Sequence, residues 1–400
     1  MSGALLGFVG DVIVERDQPA TAFATVAEPL ADLDYLFGNL ESPYTTRPRL
    51  APSALIPVHV DPANAVALGA AGFSALSLAN NHILDAGIDV MLDTAQLVRA
   101  QGVAVCGVGA EIRAARQPAV VRRAGRQIAC LAYASVFPMG YEARTNWPGL
   151  APMRAHTLYL GTANHWIPGE IPRVRTVPLE EDLRALQEDI ALAAAESDVV
   201  IASFHWGDWT RPFVLTDHER RTARQAIDAG ADVVVGHHHH ALRGIEWYRG
   251  RPIFYGLGHF VFDAPLAADR AAALGAWADS PATAPTTSPG PDDADPGFGR
   301  IAAREGWPSL PFHPDMRMTA LAWCRVDDSG AITAGFLPCV IRPDGNVHPC
   351  DPDSSDGRRV TDYLRTACAV GGSSVRLHPD PDTRLGGLPT IRVVDDPDIR

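Results

Sequence analysis

The chain has 400 residues, 46% of them hydrophobic, and a formal net charge of -13. That composition is of a soluble globular protein, long enough for a large core and for one to three domains. The acidic balance weighs against a general nucleic-acid or anionic-membrane surface, although bound cations would still admit an anionic substrate.

The first apolar run, residues 5–10, ends on Asp11. Residues 19–32 read as a helix, and the run 33–40 ends on Glu41. Residues 62–72 form an Ala-rich helix pattern. The run 73–79 then ends on Asn80, Asn81 and His82, and 87–102 has helical periodicity with a Gly stop. Strands are expected at 103–108 and 127–134. Residues 141–178 are irregular and carry Trp147, His156, Tyr159, His165 and Trp166. Residues 179–196 are an amphipathic helix pattern leading into an apolar run that stops at His205. A helix over 216–229, with Thr216 as N-cap and Gly230 as stop, feeds a β-branched run that ends at Gly236 and the tetrad His237, His238, His239 and His240. Residues 252–260 read as a strand containing Gly258-His259-Phe260, and 318–326 with 331–341 as an antiparallel pair.

Two segments interrupt this rhythm. Residues 264–315 are rich in Pro, Ala and Asp and read as a long, partly disordered surface loop. Residues 346–400 read as loop-rich, with one helix near 360–370. The expected organisation is one domain from 1–263 and 316–345, an insertion over 264–315, and a C-terminal extension packed on the same domain. No stretch approaches the ~20 apolar residues of a membrane span. The N-terminus enters a strand-like run with no basic n-region, so the expectation is a cytoplasmic protein without a signal peptide. Cys106, Cys130, Cys324, Cys339, Cys350 and Cys368 form no C-x-x-C pair and read as small buried thiols.

Strands alternating with helices predict an α/β fold with buried parallel strands. Five apolar runs each end on Asp, Glu, Asn or His, at the carboxyl edge where α/β proteins gather ligands. Imidazole is the commonest metal-ligand side chain, so a metal site is expected there. The bland alternatives are helix N-caps or solvated acids for Asp11 and Glu41, a turn role for Asn81 and His82, and an N-cap for Asp85. His59, His156, His165, His218, His313, His348 and His378 read as ordinary surface or loop histidines.

The quoted segments also carry a resemblance. Phe-Val-Gly-Asp11, Asn39-Leu-Glu41, Ala-Asn-Asn81-His82 with Asp85 and Gly87, His205-Trp-Gly207, Gly236-x-His238-x-His240, Glu246-x-Tyr248 and Tyr255-Gly-Leu-Gly258 follow one another as in the CapA/PgsA family. That family, named for capsule and poly-γ-glutamate synthesis, resembles the calcineurin-like metallophosphoesterases in fold. The resemblance covers roughly residues 5–263. It implies a four-layer α/β/β/α sandwich, a metal shell of Asp11, Glu41, Asn81, His205, His238 and His240, and a catalytic His82 oriented by Asp85. Side chains two apart face the same side of an extended turn, so His238 and His240 can converge while His237 and His239 point elsewhere. Nitrogen and oxygen donors without thiolates suit one or two Mn, Fe or Zn ions.

The departures are also informative. Related phosphoesterases begin with Asp-x-His, and here Ile13 stands where that histidine would be. The family's Gly-Asn-Phe is Gly258-His259-Phe260, which leaves His259 as a substrate contact, an extra ligand or a tolerated change. The implied activity is metal-dependent hydrolysis or transfer on a phosphoester or a γ-glutamyl, peptide-like substrate. The alternatives are a non-catalytic accessory protein of a polymer-synthesis complex, or a cytosolic tailoring enzyme of small-molecule biosynthesis. The sequence leaves the oligomeric state open.

Overall fold

The computed structural model describes residues 3–54, 56–161, 172–263, 298–299, 301, 304–307 and 310–396. In chain order the strands are β1 (Ala4–Ile13), β2 (Tyr35–Leu40), β3 (Ala75–Ser77), β4 (Ala104–Cys106), β5 (Val108–Gly109), β6 (Ala119–Arg123) and β7 (Arg126–Ala134). They continue with β8 (Gly149–Leu150), β9 (Ala155–Leu160), β10 (Arg173–Pro178), β11 (Val199–His205), β12 (Val233–His237), β13 (Ile245–Tyr248), β14 (Arg251–Phe254) and β15 (His259–Phe262). The last are β16 (Met318–Val326), β17 (Ile332–Ile341), β18 (Val347–Pro349), β19 (Val375–Leu385) and β20 (Leu388–Asp395). The helices are α1 (Ala27–Ala31), α2 (Val66–Ala70), α3 (Ile88–Ala100), α4 (Ile112–Ala115), α5 (Glu180–Glu196), α6 (Asp217–Asp228) and α7 (Ser355–Val370).

The fold is mixed α/β and is built on two principal sheets. The ten-stranded sheet runs β19-β20-β17-β16-β1-β2-β3-β4, with β15 also on β1 and β18 on β17. The six-stranded sheet runs β13-β14-β12-β11-β7-β6. Strand alternation decides what each face buries. Ile128, Cys130, Ala132 and Ala134 of β7 share one apolar cluster with Phe8 of β1 and Phe37 of β2. Ala129, Leu131 and Tyr133 share another with Leu183, Leu186 and Ile190 of α5 and Ala223 and Ala226 of α6. Phe8 and Phe254 meet across the two sheets, ring centroids 6.4 Å apart. The first set of strands is parallel, as β1–β2–β3–β4 and β7–β11–β12–β14, so their carboxyl ends lie on common edges.

One chain segment changes sheets. The strand expected over 252–260 is broken: β14 pairs with β12 in the six-stranded sheet, while β15 lies parallel to β1 in the other. The break runs through Gly256–Gly258, where Gly258 takes φ +70°, a conformation glycine adopts without a Cβ penalty. This switch sets His259 opposite Asp11 in the β1–β15 register, and the Gly258 carbonyl accepts the Asp11 N–H at 2.9 Å.

Other differences from the sequence reading have local causes. Residues 19–32 hold two 3-10 turns and only the short α1, whose start has no side-chain cap. The irregular 141–178 segment contains β8 and the antiparallel pair β9–β10; His165 and Trp166 fall outside the described residues. Most of the 264–315 insertion falls outside them too. The tail beyond 346 is more ordered than expected. It forms α7 and the β19–β20 hairpin, whose β20 extends the large sheet beside β17. Its prolines hid the strand, and Pro379 is tolerated because β19 is the sheet's edge. All six cysteines are free and buried. Among the described residues no helix is long and apolar enough to cross a membrane.

Gly10 tests the close approach beneath the sheet switch. A Cβ there would lie 1.9 Å from the Gly258 carbonyl oxygen, which is backbone and cannot rotate away. Gly10→Ala is expected to lower unfolding stability by about 1–3 kcal/mol or more in urea titrations; an unchanged midpoint would contradict this packing.

Candidate metal centre

The carboxyl ends of β1, β2 and β11 and the loops after β3 and β12 bring the predicted donors together. Asp11, Glu41, His205, His238 and His240 are all buried. They form two groups whose donor atoms lie within 4.8 Å of one another: Glu41 with His205 and His238, and Asp11 with Glu41 and His240. Glu41 belongs to both. Its two carboxylate oxygens are buried and meet no hydrogen-bond donor among the described residues. A buried carboxylate with no partner costs several kcal/mol, and a cation placed between the two groups removes that cost. Burial, then the neighbouring Asp11 charge, pushes the Glu41 carboxyl well above its ordinary range.

Around His205 the donors converge on one nitrogen. Its Nε2 lies 2.6 Å from Asn81 Oδ1, 3.1 Å from His238 Nδ1 and 3.6 Å from Glu41 Oε1. One imidazole N–H can serve one or two of these neighbours, whereas an ion can serve all of them. The donor set, imidazole, carboxylate and amide oxygen without thiolate, is that of Mn, Fe or Zn sites. Asn81 therefore joins the site although it is only partly buried.

In the His237–His240 tetrad, His238 and His240 enter different donor groups, and the backbone there is not extended. His238 and His240 take φ +90° and +56°, in the left-handed region that is uncommon for non-glycine residues and concentrates at functional sites. His239 instead donates through Nε2 to Glu219 Oε1 at 2.8 Å. Glu219 also takes the Thr216 backbone N–H at 2.6 Å, so the start of α6 anchors the tetrad loop. His237 packs beside Phe37, with ring centroids 6.3 Å apart, and its Nδ1 stays 3.5 Å from Asp11 Oδ1.

His82 and Asp85 form a pair. His82 Nδ1 is 2.6 Å from Asp85 Oδ2, and the His82 side chain retains 17% exposure while Asp85 is buried. Asp85 does not cap α3, where Gly87 occupies the N-cap. Its carboxylate accepts the Val58 N–H at 2.8 Å and the Tyr141 hydroxyl at 2.9 Å. Tyr141 opens the irregular 141–178 segment, so that segment supports the site from behind. Burial and then the Asp85 charge keep the Tyr141 phenol far above its ordinary range.

Two supporting asparagines had no role in the sequence reading. Asn39 Nδ2 donates to Asp11 Oδ1 at 2.9 Å. Asn80 Nδ2 lies 3.1 Å from Asn39 Oδ1 and 2.7 Å from the Leu40 carbonyl, and Asn80 Oδ1 accepts the His82 N–H at 3.1 Å. This amide chain ties β1, β2 and the His82 loop together. Their sequence signal was a position two residues before Glu41 and His82 at strand ends, with Asn39 inside the Asn39-Leu-Glu41 motif. His259 is fully buried beside the site, level with Asp11 in the β1–β15 register. Ile13 is also fully buried and supplies no donor.

Burial holds the site imidazoles neutral: it pushes His238 down to about 3 and His259 down to about 4, and lowers His205, His239 and His240 as well. In metal-free protein the unfolded chain takes up these protons near pH ~6.5, before the folded chain does. Their contribution to stability is thus present above that pH and falls as pH drops toward the folded values; Glu41, raised instead, opposes this with one proton. The urea midpoint of metal-free protein is expected to fall between about pH 7 and pH 5. A flat or rising midpoint would contradict the neutral, buried state of these rings.

Residues 5–264 match the family described as bacterial capsule synthesis protein PGA_cap. The PGA biosynthesis protein CapA of Bacillus subtilis (strain 168) is 30% identical over 277 residues, covering 67% of this chain and 65% of that protein. The capsule biosynthesis protein CapA of Bacillus anthracis is 27% identical over 256 residues, covering 63% of this chain and 56% of that protein. A probable polyglutamine synthesis accessory protein of Mycobacterium tuberculosis is 32% identical over 230 residues, covering 56% and 54%. The chain thus spans less than two thirds of the length of each of these relatives.

Proposed function

We propose that this chain, which belongs to the bacterial capsule synthesis protein family, is a metal-dependent hydrolase or transferase of capsule or poly-γ-glutamate metabolism. The observation that carries this reading is Glu41: a buried carboxylate, shared by two donor groups, with neither oxygen met by a hydrogen-bond donor among the described residues. Asp11, Glu41, Asn81, His205, His238 and His240 would hold one or two Mn, Fe or Zn ions. A cation bound there supplies polarisation of a carbonyl or phosphoryl oxygen and a water of lowered pKa.

The chain's own residues do the rest. Asp85 accepts at His82 Nδ1 and fixes the ring, which leaves His82 Nε2 as the atom that can exchange a proton with a leaving group or stabilise developing charge. Asn39 and Asn80 hold Asp11 and the His82 loop in register. The family resemblance suggests a γ-glutamyl or peptide-like amide as substrate, and the fold resemblance a phosphoester.

A second reading is favoured by two observations. The buried Ile13 contributes no ligand beside Asp11, and a relative is named an accessory protein. In that reading the site binds or stabilises without turnover.

Metal content by inductively coupled plasma mass spectrometry, on untagged protein and on His205→Ala, tests the site. His205 lies outside the tetrad, so adventitious chelation by the histidine run survives its loss. Near-stoichiometric metal that falls in the variant is expected. Turnover of γ-glutamyl-p-nitroanilide or bis(p-nitrophenyl) phosphate should cease on chelation, return with Mn or Zn, and drop by about 10²–10⁴-fold in His82→Ala with metal retained. Metal indifferent to His205 would sink the metal centre. Normal polymer output in a producing cell carrying His82→Ala would move the assignment to the accessory role.

A further inference from the structure

His259 departs from the family's pattern, and its surroundings give it a specific task. Its ring has no exposed surface. Nδ1 lies 3.3 Å from the Met316 carbonyl oxygen and Nε2 lies 2.9 Å from His240 Nδ1. A carbonyl oxygen only accepts, so the proton of a neutral His259 ring belongs on Nδ1, and Nε2 is left as an acceptor. His240 Nδ1 must then donate. The other acceptor in view, Asp11 Oδ2, is 3.7 Å away, beyond hydrogen-bond range. A neutral His240 with its proton on Nδ1 carries its lone pair on Nε2. His259 itself belongs to neither of the two donor groups.

The ring is also fixed on all sides. Phe262 and Phe312 pack against it with centroids 4.0 and 4.8 Å away, and Phe312 and Trp209 pack against His240 at 4.9 and 6.0 Å. Phe312 lies in the last residues of the 264–315 insertion and Met316 directly follows it, both outside the matched 5–264 region. The same short segment thus grips two donors of one group: Gly258 takes the backbone N–H of Asp11, and His259 takes the side chain of His240.

We infer that His259 is a positioning residue for His240, relaying the Met316 carbonyl through a Met316–His259–His240 hydrogen-bond chain that fixes the orientation of the His240 ring and its Nδ1–H tautomer. The inference rests on the metal reading above. Partners of this kind set ring orientation and ligand basicity, and their loss weakens metal binding by about 10–100-fold.

The test uses the full chain and Mn(II), followed by the electron paramagnetic resonance signal of the free ion. His259→Phe keeps a ring of similar shape but removes the acceptor, and should weaken Mn(II) binding by about 10–100-fold. His259→Gln can place Oε1 where Nε2 stood and should recover to within about threefold of the parent. Long-range ¹H–¹⁵N correlation on the metal-free parent should show His240 as the Nδ1–H tautomer, which keeps the inference testable if His259→Phe does not fold. Equal Mn(II) affinity in parent and His259→Phe overturns it, as does an Nε2–H tautomer at His240. X-ray absorption showing one imidazole fewer at bound Mn(II) in His259→Gln also overturns it, because His259 would then be a ligand itself. A parent that binds Mn(II) no better than His205→Ala defeats the metal reading instead, and the tautomer measurement still decides the hydrogen-bond chain on its own.

Discussion

A single carboxylate sets the terms for the rest of the site. Glu41 follows directly on β2, is fully buried, and finds no donor for either oxygen among the described residues. Leaving such a group unpaired is among the largest local costs a fold can carry. The surrounding groups do not relieve it, because Asp11 is another acid and the imidazoles are held neutral by burial. Glu41 is instead shared by two groups of potential ligand atoms, one with His205 and His238 and one with Asp11 and His240.

The scaffold meets that requirement through strand pairing. Parallel pairing of β1 with β2 puts Asp11 level with Asn39, two residues before Glu41. Parallel pairing of β11 with β12 puts His205 level with His237, next to His238. The two sheets share one apolar cluster, so the two edges are held face to face by packing of residues such as Phe8 and Phe254. The sheet switch at Gly256–Gly258 adds a third strand end to the same edge.

Polar groups behind the donors then fix orientation. Asp85 is held by Val58 and Tyr141 before it holds His82. Glu219 is held by Thr216 before it holds His239. In both cases a segment remote in sequence supplies the support: the irregular stretch opening at Tyr141, and the start of α6. Residues outside the matched family region do the same through Met316 and Phe312, so the chain beyond 264 is part of how this particular site is built.

The α/β class and the positions of α3, α5, α6, β16 and β17 were legible because each rests on local pattern, namely apolar runs with polar ends, helical spacing, and Gly or Thr at boundaries; the choice of Asp11, Glu41, Asn81, His205, His238 and His240 as donors came from the family resemblance, and five of them fall in the two buried groups. What the sequence could not show depends on distance across the fold. The break at Gly256–Gly258 is invisible locally, since both halves are apolar and β-forming and only their partners differ. The β19–β20 hairpin was masked by prolines that an edge strand tolerates. The struts Asn39 and Asn80, the partners of Asp85, and the contact of His259 with His240 join residues up to 56 positions apart. Residue type and periodicity determine which side chains can ligate and which element carries them; only tertiary packing decides which buried donors and acceptors actually meet.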